Sequence, residues 1–307
     1  MTRFVFGPVP SRRLGFSLGV DVIPSKYCSY DCIYCQIGKT TDKEITRKSF
    51  FDPHTIIDEV AEKVKRTSRI DHISFSGSGE PTLNADIGFM IREVKKITSI
   101  PVSVITNGAM LYEDEVRRDL MAADVVLPSL DAVSEDLFRY VNRPHPALEV
   151  EAILNGLRRF RQEYTGKLWL EVMLMKNVND DKEELKKFKK VIEDLNADKV
   201  QINTVVRPPT EEGLESLTRE ELDRACRFLG KPCEIICNFE KSVREIDEEN
   251  WSQRVLTILK RRSLTLDDIV KITGVSLHKA KERLKSLENE GFIKSYIFDG
   301  KTFYLTP

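Results

Sequence analysis

The chain has 307 residues, 48 Lys/Arg against 49 Asp/Glu and a formal net charge of −1 at neutral pH, long enough for one large domain and a small one. With 41% hydrophobic and 32% charged residues it has the make-up of a globular protein, which excludes disordered and fibrous classes. No apolar run approaches the roughly 20 residues of a membrane helix, and the opening Met-Thr-Arg-Phe-Val-Phe-Gly-Pro lacks the pattern of a secretory signal, so a cytoplasmic protein is expected.

In chain order, β-branched runs predict strands at 17–23, 72–76, 102–106, 125–130, 168–175 and 200–206. Helical periodicity fills the intervals at 55–66, 87–97, 113–122, 148–164 and 182–195, with a further helix at 219–229. Such alternation predicts parallel strands joined by crossover helices, and the nearly continuous apolar runs predict strands covered on both faces. Six units fall short of the eight in a closed barrel. The expected fold class is therefore α/β, a partial (β/α)6 TIM-like barrel over residues 1–245. Residues 233–237 read as one more short strand and 238–250 as a charged connector. Loops after the strands, at 28–36, 77–84, 107–108, 131, 177–179 and 207–209, collect Gly, Pro and polar residues on the edge where such folds bind ligands.

From Trp251 the pattern changes. Residues 251–261 are amphipathic, Thr265 caps a short helix at 267–272, and Ser276 caps a longer one at 277–290 that Gly291 stops. Residues 292–297 and 301–305 pair across Asp299-Gly300, a hairpin signal. Three helices and a hairpin predict a C-terminal winged helix-turn-helix domain at 251–307. This segment carries eleven Lys/Arg against six Asp/Glu, while residues 1–250 hold 37 against 43. The excess, with His278, Lys279, Lys281, Arg283 and Lys285 on the second helix of the motif, favours a nucleic-acid partner. Protein docking and a structural or dimerisation role are the alternatives.

The most informative stretch is Cys28-Ser-Tyr-Asp-Cys32-Ile-Tyr-Cys35. Clustered cysteines point to metal or redox chemistry. Three thiolates suit three irons of a cubane and leave the fourth iron open to a small molecule. The competing reading is a zinc site completed by His54. Directly after the second strand comes Phe75-Ser-Gly-Ser-Gly-Glu-Pro-Thr82, where glycines allow close backbone approach and Glu80 can accept from an ammonium group. Thr106-Asn107-Gly108 and Ser129-Leu130-Asp131 close the next two strands. Each alone reads as a turn. Their shared rim makes Asn107, Ser129 and Asp131 candidates as well.

The CxxxCxxC spacing, with Tyr34 before the last cysteine, resembles the signature of the radical S-adenosylmethionine (radical SAM) superfamily. Ser78-Gly79-Glu80-Pro81 is similar to its GGEP segment, with Ser in place of the first Gly. The resemblance implies a 4Fe–4S cluster on Cys28, Cys32 and Cys35, and S-adenosylmethionine chelating the open iron. It further implies adenine contact at Tyr34, methionyl amino binding around Ser78, Gly79 and Glu80, and cofactor or ribose contacts at Asn107, Ser129 and Asp131. One electron from a ferredoxin- or flavodoxin-type donor would then cleave the cofactor to a 5′-deoxyadenosyl radical.

Residues 76–83, 106–108, 129–132 and Tyr-Val-Asn-Arg-Pro at 140–144 also resemble the enzymes that build the wyosine base of tRNA. The opening Gly7-Pro-Val-Pro-Ser-Arg-Arg-Leu-Gly15 is more similar to a neighbouring group of iron–sulfur oxidoreductases. Archaeal wyosine synthases carry further cysteines upstream of the triplet, whereas no cysteine precedes Cys28 here. The resemblance implies a macromolecular substrate, with RNA or tRNA ahead of protein. A small metabolite, a glycyl-radical activase role and a redox-sensing regulator are the alternatives. Cys226, Cys233 and Cys237 are candidates for an auxiliary cluster, and Arg12, Arg13, Arg143 and Arg207 for a phosphate or carboxylate clamp.

Overall fold

The computed structural model describes residues 4–67, 69–236 and 251–307. Eight strands form one sheet in chain order: β1 (Val5–Ser11), β2 (Gly15–Val20), β3 (His72–Phe75), β4 (Val102–Thr106), β5 (Val125–Pro128), β6 (Lys167–Leu174), β7 (Lys199–Thr204) and β8 (Cys233–Ile235). From β2 onward every neighbouring pair is parallel. All six expected strands are present, and the mostly parallel α/β sheet is that of a partial barrel.

The N-terminal strand β1, antiparallel to β2, was not expected. Gly7, Pro8 and Pro10 hide it, because proline removes ladder donors and is confined to edge strands. A register shift between Phe6 and Val9 absorbs the Gly-Pro step.

Helices α1 (Pro53–Arg66), α2 (Ile87–Ile97), α3 (Asp114–Leu120), α4 (Glu135–Val141), α5 (Val150–Glu163), α6 (Lys182–Leu195) and α7 (Arg219–Leu229) pack on the sheet. Helix α1 starts two residues before its periodic pattern, because Asp52 accepts from the backbone of His54 and Thr55 and Pro53 occupies the first turn. Helix α4, seven residues long, was also not expected.

Helices α8 (Trp251–Leu259), α9 (Leu266–Thr273) and α10 (Leu277–Asn289) accompany a small antiparallel sheet of β9 (Leu264–Thr265), β10 (Lys294–Phe298) and β11 (Lys301–Leu305), with β11 in the middle. Thr265 closes a capping box with Asp268, and Ser276 accepts from Lys279 N. Asp299 and Gly300 both have positive φ, as the two-residue turn requires.

The apolar cluster of these C-terminal elements includes Phe6 and Val9 of β1 beside Trp251, Ile258 and Ile269. Arg261 Nε donates to Asp21 Oδ2 at 2.8 Å, with its guanidinium over the Phe6 ring. The expected division at residues 245–251 therefore separates segments that share a core. Among the described residues no helix is long and apolar enough to cross a membrane.

Candidate active site

Local backbone bonds hold the cysteine loop in place. Asp31 N donates to Asn142 O and Ile33 N to Val141 O, both at 3.0 Å, so the loop lies on the end of α4. Cys35 N donates to Cys32 O, and Thr210 Oγ1 to Cys35 O. On the other side Glu80 N donates to Tyr27 O and Lys26 N to Ser78 O, which ties this loop to residues 76–83. A Cβ on Gly79 would stand 2.0 Å from Tyr27 O, so only glycine permits that approach.

The three thiols are half-buried. Burial, with Glu80 nearby, pushes Cys28 up to about 12. Burial also raises Cys32, next to Asp131, and Cys35. A metal must therefore displace the thiol protons on binding. Asn107 Nδ2 approaches Cys28 Sγ and Asn142 Nδ2 approaches Cys32 Sγ, each at 3.5 Å. Amide donors on sulfur are among the features that set cluster potentials.

Among the described residues no three His, Cys, Asp or Glu side chains converge on a single-ion site. His54, the proposed fourth zinc ligand, is exposed and packs edge-on against Phe89. A cubane places each thiolate on its own iron. Three separate thiols with amide donors fit that arrangement better than a tetrahedral zinc.

Cys28, Gly79, Glu80, Asn107 and Ser129 line one cavity of about 280 Å³. Glu80 is buried, and burial raises its carboxyl although its hydrogen bonds oppose the shift. Oε1 accepts from Thr82 N, Thr82 Oγ1 and Thr106 Oγ1, whereas Oε2 accepts from Asn107 N at 2.7 Å. Oε2 thus keeps acceptor capacity on a carboxylate that lines the cavity.

The side chains of Tyr34, Ser78 and Asp131 are bonded to other protein groups. Ser78 donates through N and Oγ to Asp21. Tyr34 OH donates to Asp131 Oδ2, which also takes Asn142 Nδ2, while Asp131 Oδ1 takes Met173 N. Asp131 is buried, so its oxygens hold the loops together and do not stand on the open rim. Neither Tyr34 nor Asp131 lines the cavity. A backbone contact at Tyr34 is compatible with this placement.

Two of the four arginines are engaged elsewhere. Arg143 pairs with Glu211 at 2.7 Å, and Arg13, although in the cavity wall, is ion-paired with Glu171. Arg12 donates to Asn203, and Arg207 to Gln36. Sequence reasoning missed Asn142, Gln36 and the C-terminal Arg261 and Arg262, which line the cavity or touch the thiols. Asn142, inside the 140–144 segment, and Gln36, at the end of the 28–36 loop, had a local signal, whereas Arg261 and Arg262 had none. Cys226 and Cys233 lie within hydrogen-bonding distance of each other, and Cys237 lies outside the described residues.

Residues 22–188, over half of the chain, match the radical SAM superfamily. The chain belongs to that superfamily. As a radical SAM enzyme it uses a 4Fe–4S cluster and S-adenosylmethionine, and it requires an electron donor. A UPF0026 protein of Methanocaldococcus jannaschii is 33% identical over 98% of this chain and 95% of its own length. A protein of Brachyspira hyodysenteriae named GTPase Obg is 38% identical over 99% of the chain, which spans only 45% of that relative. Among solved structures, a radical SAM methyltransferase from Sphaerobacter thermophilus has a TM-score of 0.56 at 20% identity, covering 72% of this chain and 66% of that one. These matches show the superfamily and its fold. They do not single out the group neighbouring the wyosine synthases.

Proposed function

We propose that this radical SAM enzyme modifies a nucleotide of an RNA, with electrons from a ferredoxin- or flavodoxin-type donor. Cys28, Cys32 and Cys35 hold the cluster, Glu80 Oε2 takes the methionyl ammonium, and Asn107 and Ser129 line the cofactor's side of the cavity. When bound, the cluster and S-adenosylmethionine supply a 5′-deoxyadenosyl radical. The chain's own residues orient that chemistry: Asn107 links the Cys28 thiol to the Glu80 carboxylate, and the sheet shields the cavity. The use of S-adenosylmethionine disfavours a redox-sensing regulator, which has no part for that cofactor. The site itself is also open to a small metabolite or to an activase reaction.

The observation that carries the RNA reading is that Arg261 and Arg262 of the C-terminal segment line the same cavity as Cys28 and Glu80. We read α8, α9, α10 and the three-stranded sheet as a winged helix-turn-helix that brings the substrate to this mouth. On α10, His278, Lys279, Lys281 and Lys285 are exposed, whereas Arg283 lies over the Trp251 ring. A protein substrate is the second reading, favoured by exposed Phe292, Tyr296 and Ile297 on this unit.

Charge reversal of Lys279, Lys281 and Lys285 together should weaken binding of bulk tRNA. It should also flatten the salt dependence by about 0.7–0.9 in log–log slope for each phosphate that is no longer neutralised. Filter binding from low to high salt would show this. Unchanged binding sinks the RNA reading in favour of protein docking.

Glu80→Gln should weaken S-adenosylmethionine binding by about 1–3 kcal/mol, roughly tenfold or more, while the cluster absorbance persists. Equilibrium dialysis of the reconstituted protein tests this. Normal affinity would remove Glu80 from the site.

A further inference from the structure

The inner cavity, which holds Cys28 and Glu80, shares a wall with an outer cleft of about 740 Å³ between β1, the loop after β7 and the C-terminal unit. The shared wall is made by Arg207, from that loop, and Arg262, which follows α8. Among the described residues neither makes an ion pair. Arg207 donates to Gln36 Oε1 at 3.2 Å, Arg262 Nη1 to Pro10 O at 3.3 Å, and Arg262 Nε is buried without a hydrogen-bond partner. The acids of the outer cleft are Asp267 and Asp268, and Asp268 Oδ2 already takes the Thr265 N–H and hydroxyl.

We propose that Arg207 and Arg262 clamp a phosphate group of the substrate where the two cavities meet. Guanidinium forks suit phosphate oxygens, and two of them from separate chain segments converge on one place. Burial and neighbouring arginines weigh against both cations, and Asp268 offsets this only in part: burial and then Arg12, against Asp268, push Arg262 down to about 10, and burial, Arg262 and Arg12, against Asp268, lower Arg207 well below its ordinary value. A bound dianion relieves that crowding. Beyond the pair, Lys271, Lys281 and Lys301 line the outer cleft and extend the positive surface away from the thiols. The phosphate belongs either to an RNA strand lying along these lysines or to a small phosphorylated substrate. In both cases the group next to it enters the chamber with Cys28 and Glu80, so the assignment rests on reading that chamber as the reaction site.

The test is binding, which needs no turnover. Pyrophosphate is titrated calorimetrically, and a fluorescein-labelled single-stranded RNA by anisotropy, into full-length reconstituted protein. Arg207→Gln and Arg262→Gln are compared with wild type and with Lys96→Gln on α2. The clamp predicts that each arginine variant loses about tenfold or more in pyrophosphate affinity, that Lys96→Gln loses none, and that Arg207→Lys regains part of the loss. Equal loss of RNA affinity assigns the phosphate to an RNA strand. RNA binding unchanged while pyrophosphate binding falls keeps the clamp, assigns it to a small phosphorylated substrate and overturns the RNA reading. No pyrophosphate binding by wild type, or equal binding by all variants, overturns the clamp. So does a loss that Lys fails to relieve and that comes with a lowered melting temperature.

Discussion

Protein in which Cys28, Cys32 and Cys35 are all replaced by Ala takes up no iron or sulfide on anaerobic reconstitution, shows no absorbance that bleaches on reduction, and forms no 5′-deoxyadenosine. The effect is loss outright, because each thiolate supplies the protein's bond to a different iron. The fold should survive. The loop is held mainly by backbone bonds from Asp31, Ile33 and Glu80, while the sulfurs accept two long amide contacts and backbone N–H groups within the loop itself. Far-ultraviolet circular dichroism together with iron and sulfide analysis separates the outcomes. Stoichiometric zinc without sulfide in the native protein, or a retained cluster in the triple variant, would sink the assignment.

Asp21→Ala should be strongly destabilising. The side chains of Asp21 and Arg261 are only 6% and 13% exposed, so removing the carboxylate breaks a buried ion pair at the junction of barrel and tail. Breaking a buried pair in this way costs about 3–5 kcal/mol. Asp21 also accepts from Ser78 N and Oγ, so the 76–83 loop loses an anchor as well. Urea unfolding of Asp21→Ala, Arg261→Met and the double variant forms a cycle in which the double variant should recover much of the loss. Single variants within about 0.5 kcal/mol of wild type, the range of ordinary surface substitutions, would show that the pair is idle.

What the sequence revealed follows from how locally each feature is encoded. The six core strands were legible because burial on both faces leaves apolar runs such as Val102–Thr106. The cysteine triplet and Glu80 stand out in the sequence because spacing within eight residues carries their chemistry. Strand β1 was hidden by its prolines, which only an edge position excuses. Asp131 shows what local spacing leaves out. A polar residue after a strand suggests a rim ligand, yet Tyr34, Asn142 and Met173 N meet it in space. Arg262 could not be placed from sequence at all, since nothing local says that the last segment returns to the barrel mouth.

The core that β1 shares with the C-terminal helices also bears on biosynthesis. A ribosome delivers Phe6 and Val9 long before Trp251, Ile258 and Ile269, and Asp21 waits 240 residues for Arg261. While the barrel is being made it therefore exposes the apolar side chains of its edge strand without their cover, the kind of surface on which nascent chains associate. Emergence of the C-terminal helices, rather than emergence of the barrel, marks the moment at which this core becomes safe from its neighbours.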